Sequence, residues 1–131
     1  LYSVGRAMTD LGEIAYRRGD LTEAERLHSE SLEIYRKFGI RKRESSAILE
    51  LGTIAFYRGD LAEAERLQLD SLAIKREIGD REGEAKSLVN LALLARSRND
   101  PEEQRRLYTE AVRIWRELGQ PIDQWYIDNG Y

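Results

Sequence analysis

The chain contains one imidazole, His28, and no cysteine. A histidine acting as general base needs a group that fixes its tautomer and a nucleophile within reach. In otherwise matching sequence His28 aligns with Gln68 and Tyr108, so its position accepts three unlike side chains. That variation fits a partly buried polar residue on a helix better than a catalytic base. Carboxylates are plentiful, but Glu23, Glu63 and Glu103 each follow an aspartate by three residues, the spacing of a helix start. No phosphate-cradling glycine loop, HExxH sequence or nucleophile elbow occurs. With no thiol and a single imidazole, a zinc site is not expected either. The expectation is a protein without catalytic residues, cofactor or metal.

Two other patterns have plain explanations. Arg18-Gly19-Asp20 and Arg58-Gly59-Asp60 spell an integrin-recognition tripeptide twice, yet a turn needs the glycine and a helix start uses the aspartate. The run Arg41, Lys42, Arg43 reads as a solvated edge. Over 131 residues the formal net charge is −3, with 34% charged and 41% apolar residues, the balance of an ordered, water-soluble protein without a nucleic-acid footprint. No apolar run reaches the roughly 18 residues of a membrane span, and no signal peptide opens the sequence. A cytoplasmic location without membrane or nucleic-acid partners is expected. The first residue is Leu1 rather than methionine, which reads as a segment of something longer.

The elements that would position any site come from an internal repeat. Leu11-Gly12 recurs as Leu51-Gly52 and as Leu91-Ala92, a step of 40 residues. Glu23-Ala24-Glu25-Arg26-Leu27 recurs unchanged as Glu63 to Leu67, and Gly39, Gly79 and Gly119 keep the step. Ala47, Ile48, Leu51, Ile54 and Ala55 trace one buried helix face; Leu61, Ala64, Leu67, Leu72, Ile74 and Ile78 trace a second. Gly19, Gly59 and Asn99 suit a left-handed helix end. Asp20, Asp60 and Asp100 follow as caps, each with glutamate three residues on, a capping-box pattern. Asp80 can cap the helix after Gly79, Pro101 fits a first helical position, and Pro121 can open a last one. Helices are predicted near 3–18, 21–38, 42–58, 61–78, 81–98 and 101–118, with a short one near 121–128 and no strand.

These residues resemble the tetratricopeptide repeat. Its pattern is met by Leu11-Gly12, Ala15, Tyr16, Gly19-Asp20 and Ala24, then by Leu51-Gly52, Ala55, Phe56, Gly59-Asp60 and Ala64. The third unit departs, with Ala92 for glycine and Gln104 for alanine; either it packs more loosely or Gln104 finds a polar partner. The family's common period is 34; the 40-residue form is similar to repeats of kinesin light chain and of bacterial regulators. The resemblance implies an all-α, right-handed α-α superhelix: three helical hairpins, about 3–38, 42–78 and 81–118, in one array over 1–131, with a C-terminal cap about 121–131. Ile122, Trp125 and Tyr126 share a helical face and, with Trp115, read as that cap.

In this family the first helices line a concave groove where peptides bind. Carried over residue by residue, that groove comprises Arg6, Thr9, Asp10, Glu13 and Arg17; then Ser46, Leu49, Glu50, Thr53 and Tyr57; then Lys86, Val89, Asn90, Leu93 and Ser97. Tyr16, Phe56 and Arg96 either stand at its edge or pack between repeats. Leu49, Tyr57, Val89 and Leu93 would form an apolar strip with Glu13, Glu50, Lys86 and Asn90 as polar rim. Chaperone-binding members clamp a terminal carboxylate with lysine, arginine and asparagine; Thr9, Glu13, Glu50, Val89 and Leu93 supply no such clamp. Asn90 alone matches an asparagine that bonds a bound peptide's backbone. The expected function is a protein- or peptide-binding module. The alternatives are a self-assembly or sensor segment, meeting other domains of the same longer chain, and an engineered repeat scaffold.

Overall fold

The computed structural model describes the backbone of residues 2–131 and the surroundings of side chains from Ser3 onward. Its helices are α1 (Tyr2–Arg17), α2 (Leu21–Lys37), α3 (Arg41–Tyr57), α4 (Leu61–Ile78), α5 (Arg81–Ser97), α6 (Pro101–Glu117) and α7 (Gln124–Asp128). No strand occurs among the described residues. The last helix begins at Gln124 rather than near 121, because Asp123 caps it by accepting from the Trp125 amide at 2.9 Å.

The punctuation works as its residue types require. Gly19 and Gly59 have φ of +80°, and Asn99 takes φ +60°, the left-handed region that an L side chain tolerates poorly. The Gly19 amide donates to the Tyr16 carbonyl and the Asp20 amide to the Ala15 carbonyl, the paired bonds of a Schellman ending. Asp20 accepts from the Glu23 amide at 3.1 Å, Asp80 from Gly83 at 2.9 Å, and Asp100 from Glu103 at 3.2 Å.

The reciprocal half of the expected capping box is replaced. Because the Asp20 amide is already committed to Ala15, the Glu23 carboxylate turns outward and takes both Nε and Nη2 of Arg26. Arg66 and Arg106 hold Glu63 and Glu103 in the same way, and in each pair the guanidinium lowers the glutamate pKa. Such exposed pairs stabilise little. Asp20→Ala should therefore cost about 1 kcal/mol in urea unfolding, and Glu23→Ala distinctly less. Equal losses would restore the reciprocal box.

Small residues admit the neighbouring helix. A Cβ on Gly12 would lie 2.8 Å from His28 Nε2, and one on Gly52 2.9 Å from Gln68 Nε2. His28 is fully buried rather than partly so, at 1% exposure, and Gln68 and Tyr108 are buried as well. Burial lowers the His28 pKa, against the opposing charge of Glu13, so the ring is neutral at pH 7. Ala92 is buried like Gly12 and Gly52, whereas Gln104 is half-buried where Ala24 and Ala64 are fully buried, so of the two departures only Gln104 changes the packing.

The chain packs as two compact units, Leu1–Ile74 and Lys75–Tyr131, with the division inside α4. In the first, α2 packs on α1 and on α3. Ala15, Ala24, Leu27 and Ile54 form a core, with Met8, Tyr16 and Leu21 against it. Ser71 donates its hydroxyl to the Ser45 carbonyl at 3.0 Å, tying α4 to α3. Arg41 belongs to no merely solvated edge: it holds the buried Glu44 carboxylate at 2.9 Å.

In the second unit α5 packs on α6. Leu88, Leu91, Leu94, Leu107, Val112 and Ile114 are buried there. Glu84, also buried, is held by Arg76 at 3.1 Å and Arg81 at 2.9 Å. At the end of this unit Trp125, Tyr126 and Tyr131 surround Tyr108, with ring centroids 5.5, 5.3 and 5.1 Å away. Trp115 meets Tyr126 at 5.4 Å, so the aromatic residues of the terminal segment do cover α6.

Candidate functional site

In the first unit, α1 and α3 bring several of the predicted groove residues to one cavity of about 270 Å³. Thr9, Asp10 and Glu13 enter it from α1, Arg43, Ser46, Ala47 and Glu50 from α3, and Tyr35 from α2. The spacing explains the convergence, since positions three and four apart share a helix face. Thr9 donates its hydroxyl to the Gly5 carbonyl at 3.0 Å, which leaves its oxygen to accept from the Tyr35 hydroxyl at 3.4 Å. Tyr35 is buried and was not among the predicted groove residues. Its place on a second helix hid it.

The cavity is electrostatically unbalanced, with three carboxylates against the single guanidinium of Arg43. Glu50 is half-buried, and its pKa is raised by burial first and by the charge of Glu13 second. Among the described residues no three acidic or imidazole groups converge closely enough to hold a metal ion.

Beside the cavity Tyr57 is exposed, at 62%, and its ring lies 6.0 Å from Tyr16 and 5.5 Å from Phe56. Tyr16, half-buried, packs against the core and borders this surface. Its pKa is raised by burial, then by its hydrogen bond to Tyr57, with Glu50 adding to both. Leu49 and Thr53 are half-buried, and Thr53 returns its hydroxyl to the Leu49 carbonyl at 3.2 Å. Arg17 and Arg6 are exposed and lie outside the cavity lining.

In the second unit the predicted residues share one face of α5. Val89 and Asn90 are half-buried, Lys86 is exposed, and Leu93 is 40% exposed. Lys86 Nζ lies 4.0 Å from Glu82, so the lysine already has an acidic neighbour on its own helix. Ser97 donates its hydroxyl to the Leu93 carbonyl at 3.1 Å. An exposed leucine beside a half-buried valine leaves an apolar step on an otherwise polar helix face.

Comparison with known proteins agrees with this architecture. One tetratricopeptide repeat family model matches residues 43–117 and a second matches residues 4–37. Among solved structures, BtubC (BKLC) from P. vanneervenii superposes with a TM-score of 0.81 at 20% identity, over 98% of this chain. The chain spans about half of that protein, 49% of its length. The N-terminal domain of stress-induced protein-1 (STI-1) from C. elegans superposes with a TM-score of 0.77 at 16% identity, over 98% of this chain and 92% of that one. At such identities the likeness shows the fold: an all-α array of helical hairpins. No curated protein matches the chain.

Proposed function

This chain belongs to the tetratricopeptide repeat family, and on that premise we propose that it binds an extended segment of a partner protein along the faces of its first helices. Tetratricopeptide repeats are generally protein–protein interaction modules and non-enzymatic scaffolds. No helix among the described residues is long and apolar enough to cross a membrane. The proposed contact residues are Thr9, Glu13, Arg17, Leu49, Glu50, Thr53 and Tyr57 in the first unit, and Lys86, Val89, Asn90 and Leu93 in the second.

The observation that carries the reading is the cavity between α1 and α3, where the half-buried Glu50 lies close to the exposed carboxylate of Glu13, near an exposed tyrosine. Holding the half-buried Glu50 ionised beside a second carboxylate costs free energy in the unbound chain, and an incoming lysine or arginine side chain offsets it. Tyr57 and Tyr16 offer aromatic faces to the same cation. The segment bound here is thus one with a basic residue among apolar neighbours.

A random peptide library selected against the chain tests this. Enriched peptides should carry lysine or arginine, and Glu50→Gln should weaken them about tenfold, the worth of one charge-assisted hydrogen bond. The sign of the pH dependence follows from Glu50. Its pKa is raised in the free chain, a cation prefers the ionised carboxylate, and binding must therefore weaken on acidification, starting above the range of an exposed glutamate. Enriched peptides that are acidic, or that bind the Glu50→Gln variant equally well, would remove the groove from consideration.

A further inference from the structure

Arg43 is the part of the α1–α3 cavity that a bound cation does not explain. Among the described residues of the first unit two arginines are half-buried, Arg41 and Arg43, both at the start of α3. Arg41 holds the buried Glu44 carboxylate at 2.9 Å. Arg43 lines the cavity with Asp10, Glu13 and Glu50, yet among the described residues no carboxylate reaches it within ion-pair distance. Packing does not call for an arginine there. Forty residues before Arg43 stands Ser3 and forty after it Gly83, in equivalent helices.

The cavity thus has two charged ends, and they act separately. Arg43 and Glu50 lie seven residues apart on α3. That spacing puts them on one face, about 10 Å from each other along the axis at roughly 1.5 Å per residue. Burial and Glu13 raise the Glu50 pKa, and Arg43 does nothing to relieve it. Ser46 lies between the two ends. Its hydroxyl donates to the Lys42 carbonyl at 3.2 Å, which leaves its oxygen able to accept from a passing backbone amide. A half-desolvated guanidinium without a partner costs free energy, as a half-desolvated carboxylate does.

We infer, on the cation-binding reading of this cavity, that the bound segment carries two opposite charges: a lysine or arginine for Glu50 and, three residues away, a carboxylate for Arg43. The spacing follows from the geometry of an extended chain. In the polyproline II form it advances roughly 3.1 Å per residue and returns a side chain to the same side every third residue. Positions three apart therefore stand about 9 Å from each other on the side that faces α3. In a strand, positions two or four apart stand about 7 or 13 Å from each other, one too short and the other too long. Arg43 in this way selects among basic segments. One without an acid sets its cation against an unpaired guanidinium, and one with an acid at this spacing neutralises both ends.

The test selects, against the whole chain, a peptide library with one lysine fixed and the positions around it randomised. Aspartate or glutamate should be enriched three residues from the lysine. For such a peptide Arg43→Gln, folded by circular dichroism, should weaken binding about fivefold, as should replacing the peptide's acid by its amide. Both changes together should lose little more than either alone. Arg43→Glu should reverse the preference, favouring a peptide with a second lysine in place of the acid. The rival outcome has the opposite sign. If Arg43 merely repels the incoming lysine, Arg43→Gln tightens binding, and the charge pair is overturned. Unchanged affinity, or no acid enriched at that spacing, overturns it as well. Glu50→Gln separates this failure from that of the groove. If Glu50→Gln weakens the peptide and Arg43→Gln does not, only the charge pair falls; if neither weakens it, the groove falls with it.

Discussion

Tyr108→Ala is expected to release the C-terminal segment and to destabilise the second unit by about 3–5 kcal/mol. Tyr108 is buried at 3% exposure, and its ring is the common contact of Trp125, Tyr126 and Tyr131. Removing it forfeits the burial of an aromatic ring and leaves a cavity that α6 and α7 cannot collapse to fill. The loss is a large share of the roughly 5–15 kcal/mol that holds a typical domain together. A helix of five residues has no stability of its own, so α7 should detach once its anchor is gone. Trp125, already 43% exposed, should then emit at longer wavelength in native buffer. Tyr108→Phe keeps the ring and should preserve both the emission and most of the stability. An alanine variant with unchanged tryptophan emission would mean that Trp115–Tyr126 and the Arg116 bond to the Tyr131 carbonyl hold the segment by themselves.

Leu93→Glu has the largest expected effect on binding. Burying a leucine at an interface is worth about 1.5–3 kcal/mol before ordering costs. Glutamate removes that contact and forces a desolvated charge into its place, so a partner bound on this face of α5 should weaken about tenfold or more. The fold should tolerate the change, because Leu93 is 40% exposed in the unbound chain and glutamate is a good helix former. Arg113→Ala, on an exposed position of α6, serves as the control. Titration of a selected peptide against both variants is the measurement. Equal affinity for the folded Leu93→Glu variant and the parent would take α5 out of the binding surface.

How much of this was legible beforehand depended on the range of the interaction. Helix ends are decided within a few residues: a glycine or asparagine at positive φ, an aspartate whose carboxylate reaches the amide three residues on, a proline where no amide is needed. Gly19, Gly59, Asn99, Asp20, Asp80, Asp100 and Pro101 therefore announce the hairpins from the linear order alone, and the 40-residue step says that each is built alike. Apolar periodicity likewise marks Ala47, Ile48, Ile54 and Ala55 as interior.

Side-chain partners were another matter, because each polar group chooses among competitors that only the folded chain brings near. Glu23 has the spacing of a capping box, but the Asp20 amide was already taken by Ala15, and Arg26 won the carboxylate. Arg41 and Arg81 look like surface charges until Glu44 and Glu84 are seen buried against them. His28 looked half-solvated and is instead sealed beneath Gly12, where a missing Cβ makes room for a neutral ring. Tyr35 reached the α1–α3 cavity from a helix that the repeat pattern assigned to the other layer. The amino-acid order determined where helices begin, end and hide their apolar faces, since those choices are local. The tertiary structure decided which charges pair and which stay in water, since those depend on competition among groups distant in sequence.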